Sequence, residues 1–309
     1  MRKHMNKDLL GLRHCTKEDI LTILERGAVM KSVIASGRSL DRLQGKRILN
    51  LFFENSTRTR VSFELAIKNV GAGEVTMSAL GSSVAKGETL LDTGLNLEAM
   101  GIDGVVIRHS ASGAPHLLAK TLQIPVINAG DGMDEHPTQA LLDMLTMKEY
   151  KGGFDGLKVT IAGDALHSRV VRSNIWGLQK LGAKVTVCAP VTLIPAGLST
   201  LGITVTTDIK EAVKDADVVM ALRIQLERQK AALFPSLSSY AVNFGIDEKI
   251  MSLAKKDAIL MHPGPVNRGV ELSSTVMDGS KSVILEQVTN GVAVRMAVLD
   301  LLLTGGSKN

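Results

Sequence analysis

Cysteine is scarce: the chain has two, Cys15 and Cys188, which form no CxxC and no metal-ligand cluster. Neither a disulfide framework nor a zinc site is expected, and a reducing cytoplasm is the simple inference. Aromatic residues make up only 3%, too few for the stacking platforms of a single-stranded nucleic-acid binder, so no nucleic acid is expected as partner. No apolar run reaches the roughly 18 residues that a membrane span needs. Met1 to Leu10 carries charges but no apolar h-region, so no signal peptide is expected. The G-x-G-x-x-G fingerprint and the Walker loop are both missing, which argues against a nucleotide cofactor; none is expected, and no metal.

What is present is an ordinary globular composition, 45% apolar and 22% charged. The net charge of +5 (36 Lys+Arg against 31 Asp+Glu) is spread along the chain. That balance suits small anionic substrates, and it equally serves solubility alone. A length of 309 residues suggests two domains.

Short β-rich runs alternate with helical periodicity, which predicts an α/β fold: two doubly wound domains with mainly parallel sheets and the active site in the cleft between them. Thr16 and Asp19 have the spacing of a capping box ahead of Ile20, Leu21, Ile23 and Leu24. A strand is predicted at Arg47–Phe53, then a helix with Phe63, Ala66, Ile67 and Val70 on one face. After the small-residue run 81–87, a helix runs to about Met100. A strand follows at Gly104–Arg108, a helix at Pro115–Leu122, a strand at Pro125–Ala129 and a helix at about Pro137–Lys148, whose start marks the end of the first domain. The second set comprises strand Lys158–Ala162, helix Arg169–Leu181 and strand Lys184–Ala189, with further strands around Val205, at Val218–Leu222 and at Ile259–Met261. Ser282–Leu303 is apolar with helical spacing.

Chemistry-bearing residues cluster where strands give way to helices. Ser56-Thr57-Arg58-Thr59-Arg60 combines hydroxyls, a guanidinium fork and a helix N-terminus, which together suit an oxyanion. Taken alone it also fits an N-cap followed by solvated arginines. The run 81–89 offers Ser82 and Lys86 from a loop; it reads as a mobile delivery loop or as plain surface. Arg108 closes a strand, where a surface ion pair is the ordinary alternative. His136-Pro137-Thr138-Gln139 opens a helix, with Pro at its first position. His136 and Gln139 could read a carbonyl and an NH2 group there, or serve only as cap-region residues. Arg169 and the segment Arg223-Ile224-Gln225 end further strands and suit carboxylates, or surface ion pairs. His262-Pro263-Gly264-Pro265 fixes an irregular turn with exposed carbonyls. Arginines at four strand or helix ends describe a site for substrates with several negative charges.

The first motif, His136-Pro137-Thr138-Gln139 and His262-Pro263-Gly264-Pro265, in this order and spacing over essentially the whole chain, resemble the transcarbamoylase family. Ser82 to Thr89 and Arg223 to Arg228 are similar to the mobile loop and the acceptor-binding segment of its aspartate-using members. The late motif lacks the Cys of the His-Cys-Leu-Pro typical of ornithine-using members, and Gly264 stands where some relatives have Leu.

The resemblance implies transfer of a carbamoyl group from carbamoyl phosphate to the amino group of L-aspartate, an early step of pyrimidine biosynthesis. Ser56, Thr57, Arg58, Thr59 and Arg108 would hold the phosphate, and Thr59, Arg108 and His136 would polarise the carbamoyl oxygen. Gln139 and the carbonyls of Gly264 and Pro265 would bind the carbamoyl NH2. Lys86, Arg169, Arg223 and Gln225 would bind aspartate. Ser82 and Lys86 would come from a neighbouring subunit, which implies a homotrimer with shared sites. A carbamoyl phosphate domain of residues 1–135 plus 291–309 and an aspartate domain of residues 136–290 are implied too. A regulatory chain or a dihydroorotase as partner is left open, as are another acceptor such as ornithine and a non-catalytic ligand-binding role.

Overall fold

The computed structural model describes residues 6–78, 88–225 and 233–304. The chain divides into two units, Met1–Leu145 with Thr289–Asn309, and Thr146–Val288. The first carries α1 (Lys17–Ala35), β1 (Arg47–Phe52), α2 (Thr57–Asn69), β2 (Gly73–Ser78), α3 (Leu90–Ala99), β3 (Gly104–His109), α4 (Ala114–Thr121), β4 (Val126–Asp131) and the start of α5 (Pro137–Lys151). Its four strands are parallel, in the order β2-β1-β3-β4. Ile48, Leu49, Val105, Val106 and Ile107 are all fully buried. A parallel sheet covered on both faces needs such unbroken apolar runs rather than alternation.

Local chemistry sets the helix ends. Thr16 Oγ1 accepts the Asp19 N–H at 3.1 Å, and Asp19 Oδ2 accepts the Thr16 N–H at 2.9 Å, the reciprocal pair that the spacing predicts. On α2, Phe63, Ala66 and Ile67 are wholly buried, as is Val70 at its C-cap. Phe63→Ala would leave a cavity costing about 3–5 kcal/mol.

The second unit carries β5 (Lys158–Ala162), α6 (Arg169–Lys180), β6 (Lys184–Cys188), β7 (Thr204–Thr206), α7 (Ile209–Val213), β8 (Val218–Ala221), α8 (Leu237–Phe244), α9 (Glu248–Met251), β9 (Ile259–Met261), α10 (Ser274–Met277) and the start of α11 (Ile284–Thr304). Its five strands are parallel, in the order β7-β6-β5-β8-β9. Ala162, Val213, Val219, Leu260 and Leu272 share its buried core. The chain passes from the first unit to the second within α5, between Leu145 and Thr146, and returns within α11. In the first unit Asp300 of α11, 2% exposed, accepts from Arg26 Nε at 2.7 Å and Arg42 Nε at 2.6 Å. No helix among the described residues is long and apolar enough to cross a membrane.

Both sheets reverse their winding direction once, between β1 and β3 in the first and between β5 and β8 in the second. In open α/β sheets ligands bind beyond the carboxyl ends of the strands at such a switch point. Two kinds of element are absent from the sequence reading. One is β2, whose Glu74 and Thr76 hide its strand character; Glu74 becomes legible only because it accepts from buried Asn50 Nδ2 at 2.9 Å. The others are the short helices α7 to α10, one or two turns each, too brief for periodicity to register.

Candidate functional site

In the first unit the motif residues gather at the carboxyl ends of the adjacent strands β1, β3 and β4. Ser56 to Thr59 open α2 directly after β1. Ser56 occupies the N-cap position, yet its side chain makes no capping hydrogen bond, and no acidic residue lies in the first turn. Arg58 is exposed, and Thr59 is buried at 8%. A helix start that holds hydroxyls and an arginine but no carboxylate is arranged for an anion.

Arg108 lies opposite Phe52 in the β1–β3 register, and the Phe53 N–H donates to its carbonyl at 2.8 Å. Its guanidinium is braced: Nη1 donates to the Ala129 carbonyl at 3.2 Å, and Nε lies 3.4 Å from Glu54 Oε2. His136 and Gln139, 5% and 8% exposed, stand at the start of α5 beyond β4. The preceding loop is pinned by two carboxylates. Asp131 Oδ2 accepts the Gly113 N–H at 2.7 Å, and Oδ1 accepts from Asn128 Nδ2 at 2.8 Å and the Glu135 N–H at 3.2 Å. Glu135 accepts the N–H groups of Leu12 at 2.7 Å and Arg13 at 3.1 Å. His109, next to Arg108, titrates below its usual range because burial disfavours the imidazolium; the charges of Asp131 and Glu54 oppose this only partly.

The second unit repeats the plan on β5, β8 and β9. Gly163 follows β5 with φ +137°, and a Cβ there would meet the Leu222 carbonyl oxygen at 2.5 Å, so only glycine lets the two strand ends approach. Asp164, fully buried, ties Gln225 to His167. It accepts from the His167 N–H at 3.1 Å, His167 Nδ1 at 2.9 Å and the Gln225 N–H at 3.3 Å. Gln225 Nε2 in turn donates to the His167 carbonyl at 3.1 Å. Arg169 is the first residue of α6, 5% exposed, behind a Ser168 cap. Arg223 is half-buried past the end of β8. Beyond β9, Gly264 takes φ +67° in the His262 turn, and Pro265 is exposed. Ser82 and Lys86, with Leu226 to Arg228, lie outside the described residues.

Glu54, Asp131, Glu135, Asp164 and Glu271 receive no role in the sequence reading, although Glu54, Asp131 and Asp164 lie within or beside its motifs. Their only signal is a carboxylate one to six residues from a motif residue. Among the described residues, His116, Asp131 and Asp134 each bring one metal-capable atom within 4.8 Å of the others. Both Asp131 oxygens already accept protein hydrogen bonds, which fits a structural anchor.

Family models for the carbamoyl phosphate-binding domain and the Asp/Orn-binding domain of aspartate/ornithine carbamoyltransferases match residues 7–149 and 155–302. The chain belongs to the aspartate/ornithine carbamoyltransferase family. An aspartate carbamoyltransferase catalytic subunit from Ruminiclostridium cellulolyticum is 60% identical over 305 residues, 98% of this chain and 97% of that one. The one from Acetivibrio thermocellus is 60% identical over 298 residues, 96% of each chain. Among solved structures, Trypanosoma cruzi aspartate transcarbamoylase with carbamoyl phosphate and aspartate superposes with a TM-score of 0.85 at 33% identity, over 95% of both chains. Pyrococcus furiosus ornithine carbamoyltransferase gives 0.84 at 32% identity, over 97% of this chain and 98% of that one.

Proposed function

We propose that this chain transfers the carbamoyl group of carbamoyl phosphate to the amino group of L-aspartate, giving N-carbamoyl-L-aspartate and phosphate, an early step of pyrimidine biosynthesis. The fold alone does not choose the acceptor, since an aspartate and an ornithine enzyme resemble it almost equally. The observation that carries the choice is the acceptor motif: Arg169, Arg223 and Gln225 all stand at the switch point of the second sheet, with Gln225 held by Asp164 and the His167 carbonyl. Two guanidinium groups suit the two carboxylates of aspartate and repel the side-chain ammonium of ornithine. The 60% identical relatives support the same choice.

In this reading Ser56, Thr57, Arg58, Thr59 and Arg108 hold the phosphate. Gln139 and the carbonyls of Gly264 and Pro265 accept from the carbamoyl NH2. Arg169, Arg223, Gln225 and Lys86 bind aspartate. The neutral amine attacks the carbamoyl carbon, and negative charge grows on the carbonyl oxygen. Thr59, Arg108 and His136 stabilise that oxyanion, a donor set of which each member is typically worth on the order of 10²–10³ in rate. The carbon–oxygen bond to phosphate then breaks, and the departing phosphate takes the amine proton. Much of the acceleration comes from holding two mutually repelling anions in reacting geometry.

We further propose that Ser82 and Lys86 are supplied by a neighbouring copy in a homotrimer with shared sites, located in the cytoplasm. The designation of the relatives as catalytic subunits supports association with other chains; a regulatory chain and a dihydroorotase are the two partners left open. In domain terms, residues 1–135 with 291–309 serve carbamoyl phosphate and residues 136–290 serve aspartate. N-(phosphonacetyl)-L-aspartic acid, present in a Trypanosoma cruzi aspartate transcarbamoylase complex, tests the pairing of the two substrates. Calorimetry should find it bound far more tightly than phosphate or aspartate alone. Affinity no better than that of phosphate would refute the reading.

A further inference from the structure

Gln139 and Asp143 sit four residues apart on α5, and Gln139 Nε2 donates to Asp143 Oδ1 at 2.9 Å in a buried bond. An amide can be turned end for end at little steric cost, so its partner decides the orientation. An ionised carboxylate only accepts, so the end facing Asp143 is the NH2 end. The opposite end, Oε1, is then fixed as an acceptor.

This holds only while Asp143 keeps its charge. Asp143 is fully buried, and a buried carboxylate needs a nearby cation. Arg295 on α11, 3% exposed, provides it. Its guanidinium is clamped, with Nη1 donating to Ser62 Oγ at 2.9 Å and Cζ lying 5.0 Å from the centre of the Phe63 ring. Burial draws Arg295 down to about 10, the charge of Asp143 works the other way, and the group stays cationic at neutral pH. Room for it is reserved at Gly291, where a Cβ would come within 2.7 Å of Arg295 Nη1.

We propose that Asp143, compensated by Arg295, fixes the amide orientation of Gln139 and so makes the protein select a phosphate donor bearing an NH2 group over one bearing a methyl group. The proposal rests on the reading above, in which Gln139 meets the carbamoyl NH2. Carbamoyl phosphate gives Oε1 a hydrogen bond. Acetyl phosphate, of nearly the same shape, leaves it unsatisfied, a difference on the order of 10- to 100-fold in affinity. Asp143 is thus a positioning residue, one shell behind the ligand.

The test measures dissociation constants of carbamoyl phosphate, acetyl phosphate and inorganic phosphate for the full chain, by calorimetry. Wild type is compared with Gln139→Ala, Asp143→Asn and the double variant Asp143→Asn with Arg295→Met. An asparagine can offer either end of its own amide, so Asp143→Asn releases the orientation. The preference for carbamoyl over acetyl phosphate should fall by about twofold or more, since the freed amide can present either end, while phosphate affinity holds. The double variant removes the buried cation left uncompensated and should show the same loss, which decides the matter if Asp143→Asn alone does not fold. Loss of preference in Gln139→Ala but not in the Asp143 variants would overturn the orientation claim alone. Equal weakening of all three ligands in the Asp143 variants would overturn it too, as a general structural effect. Full preference in Gln139→Ala would overturn the assignment of Gln139 and the proposal with it.

Discussion

His262 Nδ1 accepts the backbone N–H of Gly264 at 2.7 Å, so the imidazole proton belongs on Nε2, 3.4 Å from Glu271 Oε1. Both residues are 1% exposed, and Glu271 Oε1 also accepts the Asn267 N–H at 2.7 Å. The turn that offers the Gly264 and Pro265 carbonyls is therefore stapled at both ends. His262→Phe keeps an aromatic ring but strips the Gly264 N–H of its acceptor. The expected outcome is a loss of about 1–3 kcal/mol in stability and a raised KM for carbamoyl phosphate. Denaturant unfolding and steady-state kinetics measure the two effects, and an unchanged KM would detach this turn from donor binding.

Arg58 is exposed on the first turn of α2, so its removal should cost the fold about 0.5 kcal/mol or less. Its loss should lower kcat/KM by on the order of 10²–10³, because the departing phosphate loses its guanidinium. Kinetics and thermal unfolding of Arg58→Ala check both halves. Near-normal turnover in the folded variant would refute the phosphate assignment.

The two cysteines should react very differently. Cys188 is fully buried at the end of β6, and burial pushes its thiol up to about 12, helped by the negative charges of Asp208 and Glu211. Cys15 is half-buried near the start of α1. Since the thiolate is the nucleophile, an alkylating reagent at pH 8 should label Cys15 alone in the folded protein and both residues after unfolding. Mass spectrometry of the labelled peptides reads the outcome; rapid native labelling of Cys188 would contradict its burial.

His109 carries a pH signature. Its folded pKa lies below the ordinary imidazole value of 6.5, chiefly through burial, so the unfolded chain binds the proton more readily. Its contribution to stability is therefore complete above about pH 6.5 and declines as pH falls towards the folded pKa. An NMR titration should find the His109 ring protons midpoint below 6.5. His109→Asn should flatten this part of the stability profile, and a midpoint above 6.5 would contradict the stated cause.

Motif residues such as Arg58, Arg108, Gln139 and Arg223 are legible in the sequence because each sits at a strand or helix end, where short-range patterns mark the position. The carboxylates that brace them are not. Glu135 is one of 31 acidic residues, and its partners Leu12 and Arg13 lie more than a hundred residues away. Asp143 reads as an ordinary polar residue of α5 until Arg295 is seen to share its electrostatics. Likewise β2 depends on pairing with β1 rather than on its own alternation. Local chemistry travels with the sequence, whereas long-range compensation appears only when the chain is folded.

The central claim is the identity of the acceptor, and one assay tests it directly. The purified protein is incubated with carbamoyl phosphate and either L-aspartate or L-ornithine, and the ureido product and phosphate are quantified. N-carbamoyl-L-aspartate with no product from ornithine is the predicted result. Product from ornithine alone would contradict the account, overturning the roles given to Arg169, Arg223 and Gln225 while leaving the phosphate site in place.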